Sequence, residues 1–232
     1  RLQLTSPLVS RPYVAITASV MSSFSATGIA IGDHTIGVES SGYIGTTYDI
    51  ESDASSASYP LAAAAIAGGS VKVLGVGDRA LQGDAAFIEV LESMGCTTRT
   101  TDRSLEVTSS GSLHGIEIDM ADMSDLVPTL AVVAAFADSP TRITGVGFIR
   151  HKESDRIGDL VNGLKMVGCD AVEEDDGILI RPVHESQMHG AELLTHDDHR
   201  LAMAWSLLAL RISGIVINDP EVVSKSWPEW WD

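Results

Sequence analysis

Cations are scarce in this sequence. Only 15 of its 232 residues are Lys or Arg, against 32 Asp or Glu, for a formal net charge of −17. A chain this acidic is a poor electrostatic partner for nucleic acid or an anionic membrane surface, and neither is expected. Cysteine is scarcer still. Cys96 and Cys169 cannot make a disulfide framework, so a reducing, cytoplasmic setting is expected. No Cys/His cluster has metal spacing; His196 and His199 stand three apart without an obvious third ligand, so no metal is expected. No uninterrupted apolar run reaches membrane-spanning length. The first residues, Arg1 to Ser6, lack the apolar core and cleavage site of a secretory signal. Aromatics make up 5%, and three of the four tryptophans (Trp227, Trp230, Trp231) crowd the last stretch, which suits a packing tail.

What the sequence does contain is a degenerate repeat. Small, apolar, helix-like runs begin near Asp53, Asp125 and Asp198, in steps of 72 and 73 residues. The runs are Ala54 to Ala67, Leu126 to Ala137 and His199 to Leu210. Each leads through a short break to a β-rich run: Ser70 to Val73, Thr141 to Thr144, Ile215 to Ile217. A second helix family ends in Leu91-Glu92-Ser93-Met94-Gly95-Cys96 and again in Leu164-Lys165-Met166-Val167-Gly168-Cys169, with the Gly as a stop signal. Pairs of short strands follow, with turns at Thr101-Asp102-Arg103 and Asp175-Asp176-Gly177. The unit reads strand, helix, strand, helix, strand, strand, a mixed α/β class. The aspartate-led helices are apolar nearly all round, so they belong inside, with sheets around them. Residues 51–232 hold two full units and the start of another, and residues 1–50 about two thirds of one.

Charge gathers in one stretch, His151-Lys152-Glu153-Ser154-Asp155-Arg156, between a strand-like and a helix-like run. A loop opening a helix can be a solvated loop capped by Ser154 or Asp155. It is also where α/β proteins hold ligands, and a helix start presents N–H groups to an anion. Arg11, Arg150, Lys152, Arg156, Arg200 and Lys225 all fall in stretches of this kind. Basic residues concentrated in an acidic chain point to a small anionic ligand. Asp53 and Asp198 are expected to be helix caps, and the three helix starts to converge on one cleft.

Five blocks carry a resemblance: VSRPY from Val9, ESDASSASY from Glu51, KESDR from Lys152, DDHRLAM from Asp197 and KSWP from Lys225. Together they resemble the 5-enolpyruvylshikimate-3-phosphate synthase family of enolpyruvyl transferases, over essentially the whole chain. The resemblance implies two lobes of βαβαββ units packed as an inside-out α/β barrel around buried helices. Residues 1–50 would be a remnant of the N-terminal-lobe repeat, and 51–232 the C-terminal-lobe domain. It implies transfer of the enolpyruvyl group of phosphoenolpyruvate to the 5-hydroxyl of shikimate 3-phosphate, with release of phosphate and no metal or organic cofactor. By the same resemblance Ser10, Tyr13, Asp125 and Lys152 hold shikimate 3-phosphate, and Arg156, Arg200 and Lys225 hold phosphoenolpyruvate. Asp125 takes the proton of the attacking hydroxyl, while Glu153 and Lys225 handle protons at the phosphoenolpyruvate methylene. Guanidiniums suit multiply anionic substrates, and the addition needs one proton removed and one delivered.

Two departures from the family pattern stand out. The family chain is nearly twice as long, which leaves about half the active site here, to be completed by a missing N-terminal half or a second copy of the chain. Phe148 stands where many members carry an Asn that touches shikimate 3-phosphate. A transferase represented by part of its chain, a non-catalytic binder of phosphate-bearing ligands, and a structural remnant of the fold all remain open.

Overall fold

The computed structural model describes residues 1–232. The chain opens sparsely, with strand β1 (Leu2–Gln3), helix α1 (Arg11–Ser23), β2 (Ala30–Ile31) and β3 (Thr35–Gly37). The three strands pair antiparallel in the order β1-β3-β2. Helix α1 starts with Pro12 in its first turn, where a missing N–H costs nothing. None of its residues is buried.

The core begins with α2 (Ala54–Ala67), whose limits match the apolar run read from the sequence. Asp53 caps it, its side chain accepting from the Ser55 N–H at 2.9 Å. Then come β4 (Gly69–Leu74), α3 (Phe87–Ser93), β5 (Thr97–Thr101) and β6 (Ser104–Ser109), with the strands antiparallel in the order β4-β6-β5. Next are β7 (Glu117–Asp119), α4 (Val127–Ala134), β8 (Thr141–Thr144), α5 (Arg156–Met166), β9 (Asp170–Glu174) and β10 (Gly177–Arg181). These six elements are one complete βαβαββ unit. Its β7 and β8 run parallel across the α4 crossover, and the other pairings in the β7-β8-β10-β9 sheet are antiparallel. A short parallel pair, β11 (Glu192–Leu193) with β12 (Val216–Ile217), flanks α6 (His199–Leu208).

The sequence suggested two full units after residue 50, whereas the structure has one. The unit built on α2 lacks its first strand: residues 38–53 form neither helix nor strand, and β4 pairs only with β6. The run expected to be helical to Ala137 stops at Ala134, where the chain tightens into three-residue turns (Phe136 N–H to Val133 O, 3.1 Å; Ala137 N–H to Ala134 O, 3.1 Å). Gly95 and Gly168 follow α3 and α5 at φ 102° and 89°, the left-handed stop that the repeat predicts.

Helices α2, α4 and α6 contact one another, and α2 packs on β4 and β6 while α4 packs on β8 and β10. Of the 67 buried residues only Ala26 precedes residue 51, so the core belongs to the later segment. Trp205 on α6 lies fully buried, and Gly163 on α5 makes room for it: a Cβ there would sit 2.5 Å from the indole. At the C-terminus Trp227 and Trp230 pack against this core, and Trp230 meets Tyr59 of α2 edge to face at 5.4 Å. The tryptophan-rich tail is a packing element.

Candidate active site

Three helix starts deliver the site, but not the three expected from the repeat: α5 takes the place of α2, whose cap Asp53 lines a separate, apolar cavity. Asp125 is the next-to-last residue of the tight turn Ala121–Leu126 that leads into α4, Arg156 is the first residue of α5, and Arg200 lies in the first turn of α6. Asp155 caps α5 through the N–H groups of Ile157 (3.2 Å) and Gly158 (3.1 Å), and Asp198 caps α6 through that of Arg200 (2.9 Å). Asp125 is not a cap, and its carboxylate faces a cavity of about 520 Å³ lined by Ser10, Tyr13, Asp125, Lys152, Glu153, Arg156 and Arg200. Every lining residue was a candidate from the sequence. The loop carrying Lys152 and Glu153 is fixed from behind, because Asp176 accepts from the N–H groups of Gly145 (3.1 Å) and Gly147 (2.7 Å).

Asp125 is the hub. Lys152 donates to Oδ1 and also to the Ser124 hydroxyl (2.9 Å), Arg156 reaches Oδ1 at 2.9 Å, and Arg200 reaches Oδ2 at 2.8 Å. The Tyr13 hydroxyl donates to Oδ2 at 3.1 Å. Burial by itself would raise this carboxyl, but Arg200, Lys152 and Arg156 outweigh it and hold it well below the usual carboxylate range. Three cations share one carboxylate at the cavity wall. Of the three, Lys152 is pulled below the ordinary lysine value, first by burial and then by its guanidinium neighbours.

A second group abuts this hub. Lys225 pairs with Glu153, and His199 Nε2 lies 3.7 Å from Glu153 Oε2. The other ring nitrogen of His199 is hydrogen bonded to the Ser226 hydroxyl. Burial lowers the His199 pKa, and Arg200 adds to the effect. Lys225 does not line the cavity; it joins the site through Glu153 and is 58% exposed. Glu153, Asp198 and His199 bring ligand atoms within 4.8 Å of one another, but Asp198 is committed to Arg156 and Glu153 to Lys225, so the donor set does not suit a metal.

Two cations that the sequence grouped with the site lie elsewhere. Arg11 pairs with exposed Asp33 at 2.6 Å, and Arg150 turns to Glu173 (2.7 Å), Asp155 and the Glu174 carbonyl. Ser10, in a left-handed conformation (φ 51°) at the start of α1, lies 3.4 Å from the Ser124 hydroxyl. Phe148 is half-buried against the core and offers a ring face to Lys152, with the ammonium 5.8 Å from its centroid. Residues given no site role from the sequence also belong here: Ser124, His199, and Asp198 in its second role, accepting the Arg156 guanidinium. The DDHRLAM block contains the latter two, so the signal was present; Ser124 had none.

The family model for EPSP synthase (3-phosphoshikimate 1-carboxyvinyltransferase) matches residues 1–232. A 3-phosphoshikimate 1-carboxyvinyltransferase of Methanoculleus marisnigri is 43% identical over 234 residues, covering 100% of this chain and 55% of that protein. One from Methanosphaerula palustris is 44% identical over 225 residues, covering 97% and 52%. The solved structure of EPSP synthase from Acinetobacter baumannii superposes with a TM-score of 0.76 at 31% identity, covering 92% of this chain and 52% of that one. An enolpyruvyl transferase from Streptomyces tendae shares the fold (TM-score 0.70) at 18% identity, covering 94% and 51%. The chain spans about half the length of the curated relatives it matches.

Proposed function

The chain belongs to the EPSP synthase family, and from that membership we propose that it carries about half of a site that transfers the enolpyruvyl group of phosphoenolpyruvate to the 5-hydroxyl of shikimate 3-phosphate. The observation that supports this reading best is the Asp125 carboxylate held by Lys152, Arg156 and Arg200 at the wall of an open cavity. A structural module gains nothing from so many charges converging on one half-buried carboxylate, since desolvating them costs energy.

Roles follow from position. Ser10, Tyr13 and Lys152 hold shikimate 3-phosphate beside Asp125. Arg156, Arg200 and Lys225 hold the phosphate and carboxylate of phosphoenolpyruvate. The substrate hydroxyl oxygen bonds to the phosphate-bearing carbon as its proton passes to Asp125, and the neighbouring methylene carbon gains a proton from the Glu153–Lys225 pair. Phosphate then leaves as the new methyl loses a proton, restoring the double bond. Asp125 as it stands is too weak a base, because three cations stabilise its charge. Anionic substrates correct this. As Arg200 and Lys152 turn to phosphate and carboxylate groups, the field on Asp125 falls and its proton affinity rises, so the base is armed only when the substrates are bound.

The other half of the site comes from the N-terminal half that the longer relatives possess. Residues 1–50 belong with that half, since they contribute almost nothing to this core and their apolar side chains, Tyr13 and Ile16 among them, line a second, apolar cavity of about 580 Å³. A cytoplasmic setting is part of this reading, supported by the two unpaired buried thiols. No helix is long and apolar enough to cross a membrane.

The test is phosphate release from phosphoenolpyruvate and shikimate 3-phosphate, for the chain alone and for the chain joined to the N-terminal half of a relative. Turnover is expected only in the joined protein, and Asp125→Ala should lower kcat there by about 10²–10⁴-fold. Phosphate release by the chain alone would overturn the half-site claim. A joined protein that folds and binds phosphoenolpyruvate without turnover would leave a binding role instead.

A further inference from the structure

Asp84 has no part in the mechanism above. It sits in the tight turn Gly83–Ala86 and is only 4% exposed. Its Oδ2 accepts from the Ser55 hydroxyl in the first turn of α2 and from the Tyr13 hydroxyl at 3.4 Å. Its Oδ1 is buried without any partner. A buried carboxylate with one oxygen unsatisfied is costly, and such a group calls for an explanation. Local structure offers none. Helix α2 already has Asp53 as its cap, and Gln82 holds the approach to that helix through the Ala54 N–H (2.9 Å) and the Ser52 carbonyl (2.8 Å).

The turn is also pressed against the site by design of its backbone. A Cβ on Gly83 would lie 2.9 Å from Pro12 of α1 and 3.2 Å from the Asp122 carbonyl, in the turn that presents Asp125. Only a glycine allows the three segments to approach so closely. The result places two carboxylates, Asp84 and Asp125, on either side of one tyrosine hydroxyl, at 3.4 and 3.1 Å. A hydroxyl has a single proton to donate.

We propose that Asp84 is a positioning residue that acts through Tyr13: it is the alternative acceptor to which the Tyr13 hydroxyl turns when a substrate hydroxyl takes its place on Asp125. This rests on the reading of Asp125 as the acceptor of a substrate proton. Oδ2 of Asp125 accepts from both Tyr13 and Arg200. The anionic substrate draws Arg200 away, and Asp84 draws Tyr13 away, which leaves Oδ2 open to the attacking hydroxyl. The Ser55 hydroxyl fixes the Asp84 carboxylate so that the same oxygen stays aimed at Tyr13. Burial raises the Asp84 carboxyl, and the hydrogen bond from Ser55 opposes it.

The experiment is a double-mutant cycle on Tyr13→Phe and Asp84→Ala in the chain joined to the N-terminal half, with Asp84→Asn as the conservative variant. Asp84→Ala should lower kcat about tenfold, the value of one hydrogen bond, and leave KM for phosphoenolpyruvate within about twofold. In the Tyr13→Phe background the same substitution should cost less than about twofold more. Asp84→Asn keeps an oxygen for both hydroxyls and should recover most of the loss, staying within about threefold of wild type. Equal losses in both backgrounds, or an Asn variant no better than Ala, would overturn the proposal. If Asp84→Ala does not fold, the Asp84→Asn result decides alone, and a loss beyond threefold overturns it. Wild-type protein with no phosphate release would instead sink the proposed reaction and, with it, this role for the contact.

Discussion

Arg156 and Asp198 meet as a fork. Nε lies 2.7 Å from Oδ2 and Nη2 lies 3.2 Å from Oδ1, with the two side chains 2% and 0% exposed. The third guanidinium nitrogen is spent on Asp125. One buried cation therefore ties the start of α6 to the start of α4, and the geometry of the proposed active site depends on it. Removing one member of a buried pair strands the other charge. Asp198→Ala should destabilise the chain by about 3–5 kcal/mol, through the pair and the lost α6 cap together. Arg156→Lys keeps the charge but cannot make the fork, so phosphoenolpyruvate binding in the joined protein should weaken at least tenfold even where the fold survives. Chemical denaturation and phosphoenolpyruvate titration of the two variants check both; wild-type behaviour of Arg156→Lys would show that the fork carries nothing.

The acid side of the stability profile should fall in two stages. His199 is held below its ordinary value, first by burial and then by Arg200. Its unfolded form therefore binds a proton that the folded form resists, and stability declines as pH drops through the unfolded value of about 6.5. Asp198 and Asp125 are depressed, burial being outweighed by Arg156 at the first and by Arg200, Lys152 and Arg156 at the second. Their contribution is fully present above about pH 4 and is lost as pH falls through their lower folded values. Urea midpoints at pH 7.5, 5.5 and 4 should show the first decline, and His199→Gln should flatten the step between 7.5 and 5.5. An unchanged slope in that variant would remove His199 from the account.

How much of this was visible in the sequence depended on range. Asp53 followed by an apolar run fixed α2 to the residue, because a cap and a propensity are local. The hairpin β9–β10 was equally readable, since Asp175-Asp176-Gly177 needs no distant partner to turn the chain. Side-chain direction was not local. Arg150 precedes the charged stretch that Arg156 closes, yet Arg150 turns outward to Glu173 while Arg156 is sealed inside, and only the tertiary packing of α5 on β9 decides between them. Asp84 left no signal at all. It lies in no periodic run, and its meaning comes from Tyr13, 71 residues earlier, and Ser55, 29 residues earlier. The missing first strand of the α2 unit was unreadable for the same reason, since a strand exists only where another offers it an edge.

The tail should couple packing to the site. Lys225 reaches Glu153 from the turn Pro220–Lys225, and that turn is followed by Trp227 and Trp230, which stack edge to face at 5.0 Å, Trp230 also meeting Tyr59. Trp230→Ala should cost less than the about 3–5 kcal/mol of a fully buried aromatic, because the ring is only partly buried. It should also loosen Lys225, raising KM for phosphoenolpyruvate in the joined protein more than Trp231→Ala does. Comparable KM values for the two variants would mean that the tail and the lysine are independent.

Helix α1 has no buried residue. Tyr13, Ile16, Val20 and Phe24 project at helical spacing into an apolar cavity that also takes Tyr48, Ile50 and Leu81. An apolar stripe of this kind on a folded protein is covered by a partner or drives association. The 232-residue chain by itself should therefore self-associate at micromolar concentration in spite of its net charge, and more so at high salt, where repulsion is screened. Ile16→Glu with Val20→Glu should return it to a monomer in sedimentation velocity. The same pair should leave the urea midpoint nearly unchanged, since the core of 50 buried residues begins at Ala54 and includes none of α1. In the joined protein the two substitutions should be destructive, because on the proposed reading the N-terminal half covers this stripe. A wild-type chain that stays monomeric at high salt, or a joined protein that tolerates both glutamates, would mean that α1 is content in water and that the missing half packs elsewhere.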